Sequence, residues 1–403
     1  MSDQPTASDS WQGASLKRSL SGKVPLLIVN RSHQNAQRLH EVFGHMADEH
    51  GKDLGVAAQI RLPGMSAAGA AAFMSKVEHV PVRIADPELW RVPNSGWPSA
   101  KPLNTNESKW AYLTATPPKV SATWTKSVLD AQRDAGASVL LTATGWLSEA
   151  NASKSLTTAM EWVAESRRQV GSDPMLVNLT MDSKWLSDTT LRNALIDEIV
   201  ESAERAWYLR FWWPEVKPRY GQLLDDVLLR GYRELATATA VEGKRVYLAN
   251  TGLTGWIATA LGASGFSTGQ AWGEQAFSAS RPMGSQKGAP RPPKIPRMFD
   301  STVLHTMDFN EYSRLRGMPK HREYSTPYSA EIDVDAHTPE RASLHYLLAV
   351  GKLTASLNGT RPNFLAYRRV RRGRKFMEGL SPVDQLNGIS KPLHLTPWMK
   401  LLR

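Results

Sequence analysis

Three carboxylates stand where apolar runs end. Asp86 closes "VPVRIADP", Asp182 closes "MLVNLTMD", and Glu215 follows "AWYLRFWWPE". A carboxylate just past a buried run is a candidate general acid, general base or nucleophile. A pair of carboxylates is the equipment of glycosidic-bond chemistry, where their separation decides between retention and inversion. For each residue alone the competing reading is a helix cap or a loop ion pair. Asp182 has the cleanest case, because Asn178, Thr180 and Asp182 share one face of an alternating run and Val177, Leu179 and Met181 share the other.

The same alternation appears elsewhere. Tyr208, Arg210 and Trp212 oppose Leu209, Phe211 and Trp213; Gln59 and Arg61 oppose Ala58 and Ile60; Leu140, Thr142 and Thr144 oppose Val139, Leu141 and Ala143. Arg83 adds a cation to the run ending at Asp86. Buried arginines and aspartates must pair or bind something, since leaving them unpaired costs several kcal/mol. Arg61, Arg83 and Arg210 therefore suggest a forked grip on a phosphate or carboxylate, with Asn30, Thr144, Asn178 and Trp212 beside them. The alternative is an internal salt-bridge network with no ligand. In "YLANTGLTGWIATALGASGFSTG", Asn250, Gly252, Thr268 and Gly269 sit where two strand ends flank one helix start. Free backbone N–H groups there could cradle an anion, although small residues also make tight turns.

The elements that must position these residues are read from periodicity. Apolar runs at 24–30, 55–63, 80–87, 138–145, 175–182 and 206–215, and two more within 247–269, alternate with amphipathic stretches of helical period. Strands separated by helices pair in parallel, and eight such steps in about 250 residues predict a (β/α)8 TIM-type barrel. Catalytic groups in that fold sit at the C-terminal ends of the strands, where the residues above fall. Asn30-Arg31-Ser32-His33 follows the first strand in place of a glycine-rich loop, which argues against a nicotinamide or flavin fold.

The expected organisation is a flexible lead (1–23), a barrel (24–280) with a long insertion after strand three (88–120), a Pro/Arg-rich linker (281–297), and a C-terminal, partly helical extension (298–403). The extension carries a helix at 339–357, with Thr338 as its N-cap and Pro339 in its first turn. It could pack on the barrel or reach a protein partner. Net charge is +11, yet 281–297 carries +5 and 361–375 carries +7, which leaves the rest at −1. Arg368, Arg369, Arg371, Arg372, Arg374 and Lys375 are thus the candidate nucleic-acid-binding residues; the plainer reading is a solvated tail. The 14 tryptophans include Trp90, Trp97, Trp110, Trp124 and Trp146 around the insertion and the fourth strand, and Trp212, Trp213 and Trp272 at later strand ends, suited to stacking on sugars or bases or simply to packing.

With no cysteine, thiol and cysteine–zinc chemistry is excluded. The ten histidines show no metal spacing, so no metal site and no cofactor are expected, though carboxylates and a substrate phosphate are compatible with magnesium. No GxSxG elbow supports a serine triad. No apolar run reaches the roughly 20 residues of a membrane span, and the N-terminus lacks a signal-peptide core, so a cytoplasmic chain with no membrane role is expected. The layout of Asp86 after strand three, a Gly-rich seventh-to-eighth unit and a basic extension is loosely similar to the barrel of tRNA-guanine transglycosylases. That resemblance implies base exchange through an aspartate nucleophile on nucleic acid. The family's cysteine–zinc site has no counterpart here, and Asn250 stands where its seventh strand ends in aspartate. The expected function is a barrel enzyme, a hydrolase or transferase, acting on an anionic nucleotide or nucleic acid by carboxylate chemistry, with glycosidic-bond cleavage or base exchange favoured. The alternative is a catalytically inert barrel that binds nucleic acid or assembles with a larger complex.

Overall fold

The computed structural model describes residues 16–32, 35–98, 110–114, 116–216, 222–269, 271–279, 297–334 and 338–403. His33, parts of the 88–120 insertion and all of the Pro/Arg segment but Arg297 lie outside these. The barrel strands are β1 (Leu26–Asn30), β2 (Gly55–Arg61), β3 (Val82–Asp86), β4 (Leu140–Leu141) with β5 (Trp146–Leu147) continuing its line, β6 (Met175–Asp182), β7 (Ala206–Trp212), β8 (Arg245–Leu248) and β9 (Gly265–Thr268). They pair in parallel in the order β3-β2-β1-β9-β8-β7-β6-β4, and a parallel bridge between Ile84 and Val139 joins the two ends of the path. The fold is the expected TIM-type barrel, nearly closed.

Each strand is buried on both sides, and alternation divides its residues between two cores. Leu27, Val29, Val56, Ala58, Val177 and Leu179 face the surrounding helices. Leu26, Ile28, Val82, Ile84, Leu176, Tyr208 and Tyr247 fill the lower barrel. The helices start with the caps their sequences offer: Ser66, Ser121, Asp188 and Asp225 each accept a backbone N–H of the first turn.

The fourth strand departs from expectation. Val139 and Leu141 point into the barrel and Leu140 points out, whereas an alternation with the threonine face inward gives the reverse. Backbone pairing with β6 lasts only two residues, Leu140 and Leu141, before the strand bends. Threonine hydroxyls then replace the ladder: Asn178 N–H donates to Thr142 Oγ1 (2.8 Å), and Thr144 Oγ1 donates to the Asn178 carbonyl. A run that bends cannot keep a strict period of two, which is why alternation alone inverts its faces.

The lower end is plugged by residues 16–20. The turn of helix Leu16–Ser19 brings Leu20 into the interior cluster, and the Leu20 carbonyl accepts from the Arg245 guanidinium and the Tyr247 hydroxyl. Residues 16–20 are therefore part of the fold and not flexible lead.

The stretch after residue 297 is also more regular than its sequence suggests. A hairpin of β10 (Arg297–Asp300) and β11 (His305–Asp308) leads to helices Phe309–Arg316 and Pro327–Val334. The helix Pro339–Ala355 then lies against β1 and the helix Leu39–His50. Its Tyr346 hydroxyl pairs with Thr268 on β9 (2.7 Å), and its Leu353 carbonyl accepts from Trp256 Nε1 (3.1 Å). This helix fills the eighth helical position of the barrel, so the extension completes the fold and is not an appended arm. The basic segment forms the helix Pro362–Glu378, and the chain ends in Leu395–Leu401, where Trp398 Nε1 donates to the Leu223 carbonyl.

Candidate functional site

The upper half of the barrel interior is polar. Arg210 on β7 and Asp86 at the end of β3 meet as an ion pair, with side chains 1% and 0% exposed. Every other group of the pair is also held. Arg210 Nε donates to Asn250 Oδ1 (2.9 Å) and Nη1 to Thr180 Oγ1 (3.3 Å). Gln59 Nε2 donates to Asp86 Oδ2 (3.2 Å), the Glu88 N–H to Asp86 Oδ1 (2.9 Å), and the Tyr208 hydroxyl to Gln59 Oε1 (2.6 Å). Burial pushes the Asp86 carboxyl up, while Arg210 beside it pulls the other way. Asp86 is thus a held counter-ion, spent on Arg210.

Asn250 is placed by its backbone. It takes a left-handed φ of 52°, which asparagine tolerates, and its N–H donates to Ser267 Oγ (2.7 Å). This turn aims its side chain at Arg210. The phosphate-cradle residues nearby are explained by contacts. A Cβ on Gly252 would meet Gln275, and one on Gly269 would fall 2.0 Å from Glu274 Oε2. Thr268 faces outward to Tyr346. These residues close turns beneath the segment 271–279, which itself bonds to Asn250 and Trp213 through Phe277.

Asp182 differs from Asp86. It is partly exposed at the mouth, and one oxygen accepts the Lys184 N–H (2.8 Å). Burial pushes its carboxyl up from the ordinary range, with Glu149 adding to the effect and Lys184 opposing it. In register Asp182 lies beside Trp212, and Thr180 beside Trp146. Trp146 and Trp212 meet edge to face at 6.2 Å, Trp212 and Trp97 at 6.0 Å, and Trp97 and Trp90 at 4.5 Å, with Phe277 completing the cluster. Four tryptophans and a half-buried carboxylate therefore share the upper rim. Trp110, Trp124 and Trp213 instead donate to the Leu62, Tyr112 and Tyr232 oxygens and serve packing.

The same end holds buried side-chain atoms with no hydrogen-bond partner, among them both amide atoms of Asn30, Asn178 Oδ1, and the Nε1 atoms of Trp90 and Trp97. Folded proteins leave few such atoms; others in this structure, such as those of Ser19, Thr125, Trp185 and Ser343, lie elsewhere. On the β1–β2 side, Arg61 is 36% exposed and 3.9 Å from Glu88. Arg31 lies over Phe73 with its Nε buried and unpaired. Burial and then the charge of Arg61 pull the Arg31 guanidinium down from its ordinary value.

Other expected site residues stand elsewhere. Arg83 points out of the barrel and donates to the Gly136, Glu78 and Val80 carbonyls. Thr144 belongs to the β4–β6 seam. Glu215 is exposed on the loop beyond Trp213, outside the buried network. On the basic helix, Arg369 turns inward, donating to the Ser301 carbonyl (2.7 Å) with its guanidinium over Tyr324, and Arg374 pairs with Glu378. Arg368, Arg371, Arg372 and Lys375 remain exposed. Sequence reading gives no site role to Arg31, and offers Trp90 and Trp97 only among many rings suited to stacking or to packing. The repeated tryptophans of the insertion are a signal, whereas Arg31 needs the third dimension.

Comparison with known proteins returns no match to any family model, curated protein or solved structure. What the site can do therefore follows from its own geometry. Among the described residues, no helix is long and apolar enough to cross a membrane. Among those residues, too, the mouth carboxylates do not gather into a group that could hold a metal; the one such group lies in the extension.

Proposed function

We propose that the chain is a barrel enzyme that binds a nucleotide, free or within nucleic acid, at its C-terminal mouth and breaks or exchanges a glycosidic bond. The observation that carries this reading is the set of unpaired buried atoms on Asn30, Asn178, Trp90 and Trp97, at the barrel end that also carries the aromatic cluster. Flat rings with in-plane donors and acceptors recognise a base by stacking and by its hydrogen-bonding edge. Arg61 and Arg31 would take the phosphate. Asp182 is the reacting carboxylate, because it is accessible and holds its proton more tightly than an ordinary aspartate. Asp86 is a positioning residue that fixes Arg210.

The test uses intrinsic tryptophan fluorescence of the full chain, titrated with nucleosides and their monophosphates, together with release of labelled base from RNA and DNA oligonucleotides. Quenching is expected to be stronger with monophosphates than with nucleosides, and Arg61→Ala should remove that difference. Asp182→Asn should keep the quenching and lower base release by at least ~100-fold. Undiminished release in Asp182→Asn defeats the assignment.

A second reading, a binding module without turnover, is favoured by one feature. Arg361, Phe364, Leu365, Arg368, Arg372 and Lys375 follow spacings of three and four and are all exposed, forming one basic and aromatic helix face. Under this reading oligonucleotide affinity depends steeply on salt, charge reversal on this face abolishes it, and no base is released.

A further inference from the structure

We propose that Asp300, His321 and Glu323 form a binding site for one divalent transition-metal ion, with zinc the best match. Asp300 ends β10, and His321 and Glu323 lie two residues apart in a segment that is neither helix nor strand. One potential ligand atom from each of the three lies within 4.8 Å of the others. Their side chains are 0%, 6% and 10% exposed. The group is thus buried but close to the surface, with exposed Lys320 and Arg322 next to it in sequence.

The division of hydrogen bonds is what distinguishes this group from an ordinary ion pair. Asp300 Oδ1 accepts the Thr302 and Val303 N–H groups (2.7 and 3.2 Å), and Oδ2 is left facing His321 Nε2 at 2.6 Å. Glu323 Oε1 accepts from the Tyr312 hydroxyl (3.0 Å) and Arg316 Nε (2.8 Å), while Oε2 is buried with no partner. Each carboxylate is oriented through one oxygen and offers the other. That is the arrangement by which outer contacts fix metal ligands. One imidazole nitrogen and two carboxylate oxygens suit zinc, with a fourth position for water.

The site ties together parts distant in sequence. The His321 ring rests on Phe376 of the basic helix (5.6 Å), and Arg369 of that helix bonds to Ser301, next to Asp300. Metal binding would brace the basic helix on the β10–β11 hairpin. It does not depend on the reading of the barrel mouth.

The test uses the full chain without a histidine tag, stripped with chelator and titrated with zinc in competition with a chromophoric chelator. One equivalent should bind, and zinc should raise the melting temperature. His321→Ala and Glu323→Gln should each weaken binding by at least ~100-fold. His40→Asn, at an exposed histidine of the barrel, should leave it unchanged. Absence of stoichiometric binding, or equal binding by the His321 and Glu323 variants, overturns the proposal. Should those variants fail to fold, X-ray absorption on the zinc-loaded wild-type chain decides: one imidazole with oxygen ligands supports the site, and two or more imidazoles refute it.

Discussion

The two ends of the barrel are built from the same strands and follow different rules. Below, Leu26, Ile28, Val82, Ile84 and Leu176 interlock, and Leu20 closes the base. Above, further along the same strands and their neighbours, stand Asn30, Asp86, Asn178 and Arg210. The lower end needs no ligand to be complete, because apolar groups are satisfied by contact alone. The upper end is complete only in part: the Asp86–Arg210 network closes on itself, whereas Asn30, Asn178, Trp90 and Trp97 keep unpaired atoms. A polar core that served stability alone would satisfy all of its members. Under the function proposed above, stability belongs to the base and ligand binding to the mouth, the end at which this fold carries its active sites.

The comparison can be broken most forcefully at its centre. Asp86→Ala leaves the Arg210 guanidinium buried without its anion and should cost about 3–5 kcal/mol in urea unfolding. The double variant Asp86→Leu/Arg210→Met should recover most of that loss, since apolar groups of similar volume often replace a buried pair without penalty. A single-variant cost below ~1 kcal/mol would mean that the mouth is wet and the pair solvated. Next in size is Leu176→Ala at the base, expected to cost ~2–4 kcal/mol through lost burial and the cavity left behind. It should leave nucleotide quenching unchanged in the folded protein. A change in quenching would show that the two ends do not act separately.

Much of this division is legible in the sequence, for a physical reason. In β2, β6 and β7 the side-chain period of two runs unbroken, so alternation alone places Arg61, Asn178, Asp182, Arg210 and Trp212 at the mouth. The period fails at β4, where the strand bends and Thr142 and Thr144 serve as backbone partners. Applied to β3, the same period puts Arg83 and Asp86, three residues apart, on opposite faces, and Arg83 does face outward. Pairings across the fold leave no local trace. That Asp86 is bound to Arg210, 124 positions away, follows only from barrel closure. Nor does the irregular stretch after β11 announce that His321 and Glu323 return to Asp300. The eighth helix is recognisable as a helix, yet its place in the barrel is hidden by the long interval between β9 and Pro339.

The smallest expected effect on stability is the most discriminating. Asp182 holds its proton more tightly in the folded chain than in the unfolded one, because burial disfavours its charge. The stability it contributes is fully present below the ordinary carboxylate range and is lost as pH rises through that range and past the folded value. At pH 7 the ionised side chain is therefore a small cost. An asparagine at this position would remove the charge and still offer an oxygen to the Lys184 N–H, as asparagine does at helix starts. Asp182→Asn should then melt slightly higher than wild type at pH 7, by up to ~1 kcal/mol given its partial exposure, and equally at pH 3. Thermal melts at the two pH values separate the roles. A loss of stability at pH 7 would make the carboxylate a structural cap and remove it from the chemistry. A gain, together with lost base release, is the pattern of a residue kept for what it does at the mouth, in contrast to Leu176, which is kept for what it fills.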